Sequence, residues 1–93
     1  MGKETRLFKS EEKSTRADVG AFLQQLADKV SQGQVILRQG GEEIILALPQ
    51  NLVLEIQVED EDKKRKGVQH SLEIEIKWFD SDDAAAAGRL ELG

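Results

Sequence analysis

The chain contains no cysteine, one proline, one histidine and one tryptophan. Without thiols it can form neither a disulfide nor a thiolate metal site, and a reducing cytosol suits it. A single histidine leaves no HExxH pattern and little material for a catalytic pair. Ser71 adjoins His70, but neighbouring strand residues point to opposite faces, so the two cannot act directly as nucleophile and base. Long hydrophobic runs are also missing. No stretch approaches the ~18 apolar residues of a spanning helix. The opening MGKETRLFKSEEK is charged and lacks a signal core, and Arg6 stands where a myristoylation motif wants Ser or Thr. These absences lead to the expectation of a soluble, cytoplasmic chain with no membrane partner.

Positive charge is in deficit, with a net charge of −5. The one basic cluster, KKRK at 63–66, follows EDED at 59–62, and the two blocks largely cancel. A solvated turn is expected there, and no nucleic-acid partner, because phosphate backbones demand clustered uncompensated Lys and Arg. Gly40-Gly41 is too short to cradle a phosphate and precedes a strand pattern rather than a helix. No cofactor is expected, and no enzymatic activity.

What the chain does have is periodicity. Its 93 residues, 39% of them apolar, suffice for one small domain with a modest core. Phe22, Leu26 and Val30 fall four apart, with Val19, Leu23 and Ala27 beside them, which predicts an amphipathic helix over 16–32. Thr15 or Ser14 is the expected N-cap, Asp18 completes a weak capping box, and Gly33 is the natural residue beyond the C-terminus. Gly20, inside the helix, is explained by the close approach of a strand. From residue 34 the period becomes two, and strands are expected at 34–39, 42–48, 52–59 and 68–79. Residues 5–10, TRLFKS, are compatible with an extra short N-terminal strand. The expected fold is α+β: a two-layer sandwich with one helix packed on an antiparallel four-strand meander. A single domain over 3–80 is followed by a flexible acidic, Ala-rich tail at 81–93.

Register follows from parity, since core residues must face core residues. A two-residue turn at Gly40-Gly41 sets Leu37 opposite Ile44 and Val35 opposite Leu46. An odd loop, Pro49 to Asn51, sets Ile44, Leu46 and Leu48 of the second strand against Ile56, Leu54 and Leu52 of the third. The last hairpin sets Leu54 and Ile56 against two of Leu72, Ile74 and Ile76. Trp78 joins this inner face and is expected in the core. The opposite face has no helix left to cover it. It divides into an apolar corner, Ile36, Ile45, Ala47 and Val53, and a charged stripe, Glu55, Glu59, Glu73, Glu75 and Lys77, ending at Phe79. Like charges across a hairpin cost stability. With Glu55 opposite Glu73 or Glu75, a basic partner or a divalent cation would relieve the repulsion.

The segments KETRLFKSEEKSTRADVGAFLQQLADKV (3–30), GGEEIILALP (40–49), LVLEIQVE (52–59) and LEIEIKWFD (72–80) together resemble the amphi-Trp domain family. The likeness spans nearly all of 3–80 and stops short of the Ala-rich tail. It implies a small stand-alone domain of uncharacterised function and brings no catalytic residues with it. The expected role is therefore a protein-interaction module, binding an unknown protein or a second copy through Ile36, Ile45, Ala47, Val53, Glu55, Glu73, Glu75, Lys77 and Phe79 or through an edge strand. The alternative is a small-ligand or divalent-cation binding protein that uses the acidic strand face.

Overall fold

The computed structural model describes residues 2–81. The fold is α+β, one helix and four antiparallel strands, and the chain divides into two compact units between Leu48 and Pro49. In the first unit α1 spans Arg16–Gln32. Thr15 is the N-cap: its backbone is extended and its Oγ1 accepts from the Asp18 N–H at 3.1 Å. That satisfies one of the donors every helix leaves unpaired at its start. Asp18 in the first turn and Lys29 in the last both suit the helix dipole. Gly33 ends the helix in the left-handed region, φ 89°, and its N–H donates to the Lys29 and Val30 carbonyls, each at 3.0 Å. Only a residue free of Cβ strain takes that conformation cheaply.

Strands β1 (Gln34–Gln39) and β2 (Glu42–Ala47) follow, joined through Gly40-Gly41. Val35 faces Leu46, Leu37 faces Ile44 and Gln39 faces Glu42, the register that parity requires. The Leu48 N–H donates to the Gly33 carbonyl at 2.9 Å and ties the end of the hairpin to the end of the helix. Helix α1 packs on β1. Val35, 6% exposed, is the one fully buried hydrophobic among the described residues. Around it, Leu26 and Val30 from the helix and Leu37, Ile44, Leu46 and Leu48 from the hairpin side are half-buried. The front half of the helix stripe, Val19, Phe22 and Leu23, stays exposed. Two strands ~5 Å apart cannot cover the arc of a helix ~10 Å across.

Two expectations fail in this unit. Residues 5–10 form no strand. Phe8 lines a hollow with Phe22 and Leu37, and Leu7 lies in water. Gly20 is not a close-approach site either, since a Cβ there would meet nothing within 4 Å.

The second unit is a long hairpin, β3 (Val53–Asp62) and β4 (Val68–Lys77). Leu54 faces Ile76, Ile56 faces Ile74 and Val58 faces Leu72, again as parity requires. The ladder runs farther than expected at one end, through Asp60–His70 to Asp62–Val68, and stops earlier at the other. Lys63 to Gly67 close the turn, with a short 3-10 helix at Lys64–Lys66. The Lys63 N–H donates to the Gly67 carbonyl and the Lys64 N–H to Asp62 Oδ1, both at 2.8 Å. The basic block is thus a solvated turn, while all of EDED belongs to the strand.

The four antiparallel strands pair as two ladders, β1–β2 in the first unit and β3–β4 in the second. Leu54, Ile56, Val58, Leu72 and Ile74, expected as core, are 51–72% exposed. Ile76 and Trp78 are half-buried rather than buried. A two-stranded ribbon brings no second layer of its own to cover its apolar face.

Candidate functional site

Alternation distributes the expected surface residues over two places. In the first unit Ile36 and Ile45 are a directly opposed ladder pair, both exposed, and Ala47 is opposite Gln34 on the same face. The Arg38 guanidinium hydrogen-bonds the Glu43 carboxylate across the ladder and closes that patch toward the turn. Val53, the fourth member of the expected apolar corner, belongs to the second unit and is opposite Lys77.

The outer face of β3–β4 carries the charged stripe. Its ladder pairs are Val53–Lys77, Glu55–Glu75, Gln57–Glu73, Glu59–Ser71 and Glu61–Gln69. Glu55 does face a glutamate, as expected, but the chain supplies its own relief. Lys77 Nζ lies 2.7 Å from Glu55 Oε1 and 3.8 Å from Glu75 Oε1. The hydrogen bond to Glu55, that carboxylate's charge and then the charge of Glu75 raise the Lys77 ammonium above its ordinary 10.5. Glu73 faces an amide, and Ser71 Oγ donates to the Glu59 carbonyl at 3.4 Å. Glu55, Gln57, Glu73 and Glu75 line a shallow acidic hollow. Among the described residues no three His, Cys, Asp or Glu side chains gather in a way that could hold a metal ion. A second hollow, lined by Val53, Ile76, Lys77, Trp78 and Phe79, opens where β4 ends, and it accounts for Phe79.

The inner face of the same hairpin contains what sequence reasoning missed as a surface. Three successive ladder pairs, Leu54–Ile76, Ile56–Ile74 and Val58–Leu72, are aliphatic on both strands. The next pair, Asp60–His70, ends the patch with a polar side-chain contact, Nδ1 to Oδ1 at 2.6 Å. The signal is legible in the alternation itself. The Asp60–His70 pairing depends on the length of the Lys63–Gly67 turn, which periodicity does not determine.

No helix among the described residues is long and apolar enough to cross a membrane. Compared with known proteins, the chain matches the family model of the Amphi-Trp domain over residues 1–93, the segment beyond Asp80 included. No curated protein and no solved structure matches it.

Proposed function

The chain belongs to the Amphi-Trp domain family, and we propose that it works as a non-enzymatic protein-interaction module whose contact surface is the β3–β4 hairpin. The observation that carries this reading is the exposure of Leu54, Ile56, Val58, Leu72 and Ile74 on one face of a single ladder. At about 100 Å² each they present roughly 500 Å² of contiguous apolar surface, as much as the largest patch on an ordinary monomer. Patches of that kind, rimmed by polar groups, mark contact sites. Here the rim is Asp60–His70 at one end, and the acidic stripe occupies the reverse side.

The outer face has a complementary part in this reading. Its carboxylates and Lys77 keep that side in water and discourage the edge-to-edge pairing to which open ribbons are prone. The apolar pair Ile36–Ile45 in the first unit is a smaller secondary surface. The non-enzymatic reading is supported by the lack of any thiol and by the commitment of the sole histidine to an exposed hydrogen bond with Asp60.

A polar substitution at the centre of the face separates surface from core. In dilute solution, Ile74→Gln should keep the far-UV spectrum of the parent and melt within about 3 °C of it, since the side chain is already largely in water. A loss of about 2–3 kcal/mol, the cost of disrupting a packed interior, would mark the face as core and overturn the reading.

A further inference from the structure

We infer that the surface covering the inner face of β3–β4 is a second copy of this chain, packed face to face about a two-fold axis at the Ile56–Ile74 pair. This rests on the module reading and adds the identity of the partner.

Charge first decides which faces can meet. The outer face carries Glu55, Glu59, Glu61, Glu73 and Glu75 against a single Lys77. Glu61 has Lys63 at 3.1 Å and Glu55 has Lys77, which leaves the stripe strongly acidic. Two outer faces would set carboxylates against carboxylates, and such juxtaposition is costly. The inner patch has no ionisable group at any of its six ladder positions. Two copies can therefore approach through their inner faces, with both acidic stripes directed outward.

Symmetry then makes the patch complementary to itself. Ile56–Ile74 is the middle of the three aliphatic pairs. A two-fold axis there, perpendicular to the strands, lays Leu54–Ile76 of one copy over Val58–Leu72 of the other, and the reverse. Every aliphatic side chain meets another, as an isologous interface requires. The Asp60–His70 pairs fall outside the six positions, at the polar margin. Facing ribbons pack ~10 Å apart, which aliphatic side chains from both sides fill.

The area is of the right size. Two copies of a roughly 500 Å² patch bury about 1,000 Å² from these side chains alone, and Ile76, Trp78 and the adjoining backbone bring the total into the range of specific interfaces, from about 1,200 Å².

The absence of native cysteine makes the test clean. Single-cysteine variants Ile74→Cys and Ile56→Cys report on the inner face, and Gln57→Cys on the outer face. Each is reacted with a thiol reagent across protein concentrations of about 1–100 µM, alongside sedimentation equilibrium of the parent. The expected result is dimerisation of the parent and a fall of about tenfold or more in the labelling rate of the two inner variants as concentration rises, with Gln57→Cys labelled at a constant rate. Labelling of the inner variants that is fast at every concentration would overturn self-association and leave the module reading standing, with the face open to a different protein. Labelling that is slow at every concentration in a parent that sediments as a monomer would overturn both, because the face would then be covered from within one chain; with a parent that sediments as a dimer throughout, it marks a tight dimer and supports the arrangement. A dimer in which the inner variants label as freely as Gln57→Cys would place the interface elsewhere and refute this arrangement.

Discussion

Replacing Val35 by alanine tests where the first unit keeps its stability. Val35 is 6% exposed and lies opposite Leu46, beside Leu37 and Ile44, on the strand that α1 packs against. The change deletes two methyl groups. At ~0.8 kcal/mol for each carbon removed from the interior, the transfer term is ~1.6 kcal/mol. A void closed on one side by the helix and on the other by a hydrogen-bonded ladder collapses only in part, which brings the total to about 2–3 kcal/mol. A chain of this length has a total stability of about 5–14 kcal/mol, so the loss is a large share of it. Urea unfolding followed by ellipticity at 222 nm, where α1 dominates, should show a midpoint lowered by about 1–2 M. The control is Ile45→Ala in the same hairpin. Ile45 is 55% exposed, and its loss sacrifices only the cross-strand contact with Ile36, about 0.5 kcal/mol. If Ile45→Ala costs as much as Val35→Ala, the two faces of this hairpin are not inside and outside, and the assignment of the core fails.

Three further outcomes follow from the same geometry. Gly20→Ala should stabilise the protein by about 0.5–1 kcal/mol, measured by the same urea titration, because the helix gains and the new methyl meets nothing within 4 Å; destabilisation would mean that something does approach there. Lys77→Met should lower the Tm at neutral pH and make it salt-sensitive, through the uncovered Glu55–Glu75 repulsion. The folded-state value of Lys77 is raised, so its contribution is fully present below 10.5 and is lost as pH climbs through the raised value; parent and variant should converge at that alkaline end. Millimolar Ca²⁺ or Mg²⁺ should leave the parent's Tm unchanged, as Lys77 already bridges the opposed carboxylates; a rise of several degrees, abolished by Glu73→Gln, would revive the cation-binding alternative.

Local rules account for most of what the sequence disclosed. The bounds of α1 depend on groups within three or four residues of one another: Thr15 reaches Asp18, and Gly33 reaches back to Lys29. Both hairpin registers obey parity, because a one-residue slip would turn every aliphatic outward. Failures lie where one segment must find another far along the chain. The length of the β3–β4 ladder, which runs on through Asp60–His70 to Asp62–Val68, depends on a turn that alternation does not mark. Phe8 has no periodic neighbours to announce it, yet it ends beside Phe22 and Leu37.

The charged stripe drew notice first because a like-charge pair asks for a partner. Glu55 and Glu75 do face each other, but Lys77 is two positions along from Glu75 on the same face and answers them from within the ladder. An electrostatic conflict that the strand resolves for itself is a poor argument for an external ligand. The apolar face poses the opposite problem. Hydrophobic side chains carry no device for satisfying themselves, and burial must come from another surface. Leu54, Ile56, Val58, Leu72 and Ile74 are on the same two strands, in the intervening positions, and no residue of their own ladder covers them. Of the two faces made by one alternating sequence, the unsatisfied one is the aliphatic one, and the search for a partner belongs there.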